Sequence, residues 1–288
     1  MTKKIKAKSQ LRVLLALTFK QTYAKIGAVI VCAILGIAIF GPLFAPYTFD
    51  EFIDMPNAPR SDILFLGADY MGRDVLTRFL CGGRSIISLS FISTVLGVGL
   101  GLLIGLFAAS AKPRMDSLIM RANDILLAFP QIVFVLLVVS GFGTSIFLIA
   151  VTVGFTHAPR TARIIRAAAA EVMERDFIKA AIAVGEKRHR IIISELLPNV
   201  TSPLLVEFGL RMTYSIGLVA AVSFLGLGLQ PPAADWGLMI NENGGSITVQ
   251  PWGVLMPIAA IAIFTIGINF ITDSFAKVAI GIDRKGKE

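Results

Sequence analysis

DFIKAAIAVGEKRHRIIISELLPN, residues 176–199, sits between two of the most apolar stretches of the chain. Ile178, Ala181, Ile182 and Gly185 fall at i, i+3, i+4 and i+7, one narrow face of a helix. The face is built from small and medium side chains, so another surface can come close. Asp176 is placed to cap the start, where its charge suits the positive end of the helix dipole. Lys187, Arg188 and Arg190 lie beyond Gly185, and Pro198 predicts a break before the next apolar run. Periodicity alone leaves two readings open: a linker helix lying over its own bundle, or a surface shaped for a partner.

The flanks decide the fold class. The chain has 288 residues, 55% hydrophobic and 16% charged, against about 25% charged for soluble domains. Uncharged runs of spanning length, about 17 to 25 residues, occur at 26–44, 85–111, 212–234 and 252–272. The run 212–234 continues a helix that starts near Ser202-Pro203. The stretch 125–159 is long for one span and tight for two, and has Lys112, Arg114 and Arg121 before it and Arg160, Arg163 and Arg166 after it. Basic flanks on one side require an even number of crossings between them, with Gly141-Phe142-Gly143-Thr144 as the hairpin tip. The count is six transmembrane helices. Of the 27 Lys and Arg, seven lie in 1–25, three in 112–121, eight in 160–190 and four in 277–287. That distribution predicts both termini in the cytoplasm. The expected organisation is a basic N-terminus (1–25), a first span (26–46) retained rather than cleaved, and an extracytoplasmic loop with a short interfacial helix (47–85). A five-helix core (86–275) follows, carrying a cytoplasmic segment (160–199) and an outer loop (230–251), and then a tail (276–288). Gly97, Gly101 and Gly105 recur every fourth position, which predicts close helix packing.

Several chemistries are excluded. The net charge of +8 clusters beside apolar runs, the pattern of topology determinants rather than of nucleic-acid binding. Cys32 and Cys81 belong to no metal or disulfide spacing. No GxxxxGK[ST], HExxH or GxSxG occurs, so neither a nucleotide hydrolase nor a catalytic set is indicated. Glu207 and Arg211 form an i,i+4 pair near the cytoplasmic end of a span, where long side chains snorkel; a transport site is the alternative. The chain reads as a pathway without an engine.

The segment at 176–199 resembles the E-A-A-x3-G-x9-I-x-L-P motif of binding-protein-dependent ABC importers. Ala180, Ala181, Gly185, Leu197 and Pro198 match in spacing; Lys179 stands for the family's Glu and Glu195 for its Ile. GADYMGRDVLTRFLCGGRSIISL (67–89) and SFLGLGLQPPAADWGLMI (223–240) resemble two further elements of dipeptide/oligopeptide/nickel-type permeases, in the same order. The resemblance implies the shorter, second permease of such an importer, with an all-α, type I ABC importer permease fold in the bacterial inner membrane. It implies a heterodimer with a homologous permease, two ATPase subunits, a solute-binding protein and membrane lipid around it. ATP–Mg would sit on the ATPases and no cofactor on this chain. Cargo would be peptides or related solutes, or alternatively nickel or metal chelates; a stand-alone carrier is the rival class. Coupling to the ATPases would run through Asp176, Ile178, Lys179, Ala180, Ala181, Ile182, Gly185, Glu186, Leu197 and Pro198. In the element at 67–89, Val75, Leu76, Phe79 and Leu80 share a helix face and Asp74 is placed to pair with Arg78. Asp69, Gly72, Arg73, Asp74 and Arg78 would meet a partner or anchor at the interface. Pro231-Pro232 would end the fifth span, and Trp236 would line an outer gate or anchor the loop.

Overall fold

The computed structural model describes residues 12–285, with side chains to residue 281. Lys3, Lys4, Lys6, Lys8 and Lys287, part of the charge count above, lie outside them. Among the described residues there are no strands, only two isolated bridges, Phe52 with Arg73 and Ala68 with Asp74. The long elements are α1 (Thr22–Phe40), α2 (Val75–Ala109), α3 (Pro113–Leu127), α4 (Gln131–Phe142) and α5 (Ile146–Met173). They continue with α6 (Asp176–Ala183), α7 (Thr201–Phe224), α8 (Trp236–Asn243) and α9 (Trp252–Lys285).

Among the described residues four helical segments are long and apolar enough to cross a membrane: Thr22–Leu43, Val75–Ala109, Thr201–Phe224 and Trp252–Gly281. The α3–α4 pair, bent by 79° at a short break, makes a fifth if it counts as one span. Helix α5 is not among them, because Arg160, Arg163 and Arg166 occupy its second half. The helix break at Gly143, φ +98°, falls in the expected hairpin tip. The break at 128–130 was not expected.

Two other boundaries differ from the sequence reading. The short helix expected in the element at 67–89 is not separate. It is the first turns of α2, whose 35 residues extend about 52 Å, well beyond an apolar layer of about 30 Å. Pro231-Pro232 does not end α7. That helix stops at Phe224, where Gly226 takes φ +78° and the Leu227 N–H donates back to Val222 O at 3.1 Å. A left-handed glycine closes the helix before the prolines are reached.

The three spaced glycines do what spacing predicted. A Cβ on Gly97 would lie 2.5 Å from Gly154 O, and one on Gly105 would lie 2.7 Å from Ala162 O. Backbones of α2 and α5 therefore meet directly, as small residues allow in a bilayer. The main core gathers α1, α2, α4, α5, α7, α8 and α9 around Ile86, Val139, Ile149, Ile216, Trp236 and Phe264. A second cluster, around Leu106, Ile165, Val172, Ile178, Leu196 and Val200, sits at the opposite end of the bundle. It is the platform on which α6 rests.

Candidate functional site

Helix α6 is held by one deeply buried side chain and leaves the rest outward. Ile178 is fully buried against Val172, Ile165 and their neighbours. Ile182 and Val184 are exposed, Val184 by 79%, and Ala180 is also exposed. Ala181 is half-buried. Asp176 does not cap the helix: Arg175 holds the cap position and no side chain bonds there, while Asp176 opens the first turn. Its charge still faces the positive end of the dipole. Gly185 does not continue the helix face either. It lies past the C-terminus at φ +79°, and the Glu186 N–H donates to Ala181 O at 3.0 Å. This is a left-handed C-terminal cap, so the glycine is required by backbone conformation; nothing lies within 4 Å of where its Cβ would be.

The segment is tied down on both sides. Lys179 pairs with Glu174 at 3.5 Å and Glu186 with Arg190 at 3.4 Å, all at the surface except the half-buried Glu186. Arg188 donates to Phe107 O at 2.9 Å and to Ser110 Oγ at 3.1 Å, and its guanidinium lies over the Phe107 ring. That clips the segment to the end of α2. Pro198 makes no clean break. Arg188–Ile191 is followed by a π-helical stretch, Ile192–Leu196, and by Leu197–Asn199. The wider π turn absorbs a residue that brings no N–H and crowds the preceding turn. Leu197 packs on the lower cluster.

At the other end, Asp69, Arg73 and Arg78 form a closed polar clamp with Glu242, a residue the sequence did not flag. Arg73 Nε reaches Asp69 Oδ2 at 2.7 Å and its Nη2 reaches Glu242 Oε2 at 3.0 Å. Arg78 Nη2 lies 2.8 Å from the same Glu242 oxygen and donates to Ala233 O at 3.2 Å. The expected Asp74–Arg78 pair does not form. Asp74 instead caps α2, accepting from the Thr77 N–H at 2.8 Å, which frees Arg78 for Glu242. Gly72, φ +88°, presses against Asp54 O so closely that any side chain would collide. Trp236 is buried: its indole donates to Phe79 O at 2.8 Å and stacks on the Phe79 ring. Burial draws the Arg73 pKa down, but the Asp69 and Glu242 carboxylates outweigh it and leave it raised. Two cations face two anions, so the clamp is neutral and joins the loop, the start of α2 and α8. Asp235 caps α8 through the Leu238 N–H and accepts from Ser85 Oγ at 2.8 Å; burial pushes its pKa up.

Glu207 and Arg211 do pair, at 3.2 Å, but both are buried, which corrects the snorkelling expectation. Glu207 also accepts from the Thr161 hydroxyl at 3.2 Å, bridging α7 to α5. A cavity of about 460 Å³ lies beside the α3–α4 break, lined by Gln131, Phe155, Thr156, Pro159 and Arg160 among others. Among the described residues no three His, Cys, Asp or Glu side chains converge on a metal-sized site.

An all-helical bundle of several apolar spans, with a docked but outward-facing helix at one end, defines a multi-span membrane protein. Residues 101–279 match the model of the binding-protein-dependent transport system inner membrane component, and residues 9–60 match the N-terminal transmembrane domain of oligopeptide transport permease C. The chain belongs to that family of ABC transporter permeases, multi-pass proteins of the bacterial inner membrane. It is 33% identical to a dipeptide transport system permease protein of Alkalihalophilus pseudofirmus, covering 88% of this chain and 84% of that one. It is 32% identical to a glutathione transport system permease protein of Escherichia coli, covering 88% and 84%. A putative peptide permease protein of Brucella ovis is 34% identical, covering 88% and 86%. Among solved structures, the MetNI methionine ABC transporter in an inward-facing conformation aligns with a TM-score of 0.57 at 20% identity, over 70% of this chain and 95% of that one; it shows the fold. The family role is that of the permease component, working with ATPase and substrate-binding partners.

Proposed function

We propose that the chain is one half of the membrane pathway of an ATP-driven importer for small peptides or related solutes. It pairs with a homologous permease, and one of the two ATPases of the assembly grips it at α6. The observation that carries this is α6 itself. Its first turn is anchored by Ile178, while Ile182 one turn on and Val184 just past the helix end are left uncovered, on a platform formed with α2 and α5. A helix so placed passes a push from outside the membrane into the spans. In this reading α5 is a sixth crossing despite its arginines, both termini are cytoplasmic, and the clamp around Glu242 lies outside. The chain holds no catalytic site, and ATP–Mg binds only the ATPases. The peptide cargo is supported by the names of the relatives, and alternating access requires that cargo bind the two states differently.

The test is reconstitution. The purified chain alone should hydrolyse no ATP. The complex with its sister permease, ATPases and loaded binding protein should hydrolyse ATP and accumulate a dipeptide in vesicles. Hydrolysis by the chain alone, or import without any ATPase, would contradict the proposal.

A further inference from the structure

Helices α3 and α4 meet at 79°, and Ala128, Phe129 and Pro130 between them are all exposed. Gln131 opens α4, which ends at Phe142, so it lies about 17 Å of helix from the Gly143 turn. Arg160 lies along α5 from Ile146, about 21 Å from the same turn. The charge pattern groups Arg160 with the cytoplasmic flank; a turn at the membrane surface instead puts both residues within a hydrocarbon layer about 30 Å thick. At that depth non-helical backbone is tolerated only inside protein or along a water-filled cavity. The cavity of about 460 Å³ lies at this break.

Arg160 is the one charged residue lining that cavity. The arginines that follow it on α5 are neutralised, Arg163 by Asp124 at 2.5 Å and Arg166 by Asp116. Arg160 makes no ion pair among the described residues. An ionisable group at membrane depth is costly and marks a functional position. The rest of the wall suits a specific ligand. Gln131 Nε2 donates to Thr156 O at 2.9 Å, which leaves the amide oxygen as an acceptor. Phe134 and Phe155 stack at 5.8 Å to give an apolar floor. A cation, an amide acceptor and an apolar surface in a cavity of this size are the complement of a small peptide: carboxylate, backbone N–H and side chain.

We propose that this cavity binds the carboxylate end of a small peptide in transit, with Arg160 as the cation that meets it. The proposal rests on the peptide-importer reading and adds the residue and the chemical group. The test uses the complete complex in vesicles, with Cys32 and Cys81 replaced by Ser and Leu126, which lines the cavity, replaced by Cys. A small maleimide reports on access. The probes are a dipeptide with apolar side chains and the same dipeptide amidated at its C-terminus.

The dipeptide should slow labelling and the amide should not. Arg160→Gln should raise the dipeptide concentration needed by about tenfold or more, the scale of one charge-assisted contact. Arg160→Lys should raise it less. If a complex that imports the dipeptide is protected equally by both probes, or equally in Arg160→Gln, the site is wrong and the importer reading stands. If Arg160→Gln sheds the sister permease whatever the peptide, the arginine pairs with that subunit and the site is likewise wrong. A complete complex that imports no peptide overturns both.

Discussion

Single residues were legible where the constraint is local. The motif located Gly185, but the spacing argument gave it a small-residue contact. The structure gives it a backbone role instead, at φ +79° with open space around it. Side-chain bulk and left-handed backbone both favour glycine, and one sequence cannot separate them. The substitutions can. Gly185→Asn should keep the turn and retain the ATPases, because Asn visits the left-handed region readily; Gly185→Val should cost on the order of 1–2 kcal/mol in the turn and loosen ATPase retention. Co-purification of the ATPases measures both. Equal loss in Asn and Val would restore the contact reading. Glu242 was not legible, because its partners Arg73 and Arg78 stand 169 and 164 residues away and nothing local marks it. Asp74 was misassigned for a related reason: i,i+4 spacing permits a pair with Arg78, but capping the Thr77 N–H takes precedence at a helix start.

At the scale of elements, apolar length located the helices and charge placed the hairpin turn. The bend at 128–130 and the π stretch at Ile192–Leu196 were missed. In both, a proline is accommodated by a specific backbone adjustment, and a proline in sequence says only that an adjustment is needed. The join between α8 and α2 also has a consequence in pH. Burial raises Asp235 above the ordinary aspartate value of 3.8. The folded protein therefore holds that proton more tightly than the unfolded chain. The associated stability is fully present below pH 3.8 and is lost as pH rises through the raised value. Asp235→Asn keeps an oxygen for the Leu238 N–H and removes the charge. Thermal midpoints of the complex in detergent should fall less from pH 4 to pH 7 in this variant than in the parent. Parallel curves would mean that Asp235 titrates as an exposed aspartate.

At the scale of the whole molecule, the balance of Lys and Arg predicts which end of the bundle faces the cytoplasm, and α6 lies at that end. Cys81, half-buried near the start of α2, should react with a membrane-impermeant maleimide added to spheroplasts; a cysteine at Lys187 should react only after lysis. The reverse pattern would invert the chain. The central claim is that the uncovered C-terminal end of α6, from Ile182 to Val184, is where an ATPase seats. The most direct measurement is cross-linking in the assembled complex, with Cys32 and Cys81 removed and single cysteines placed at Ile182 and Val184. A short bis-maleimide should join each of them to a cysteine on the surface of an ATPase subunit, and adding ATP should change the yield as the ATPases close. If neither position cross-links to an ATPase in a complex that transports, α6 is a linker lying on its own bundle, and the ATPases drive the spans through a different surface.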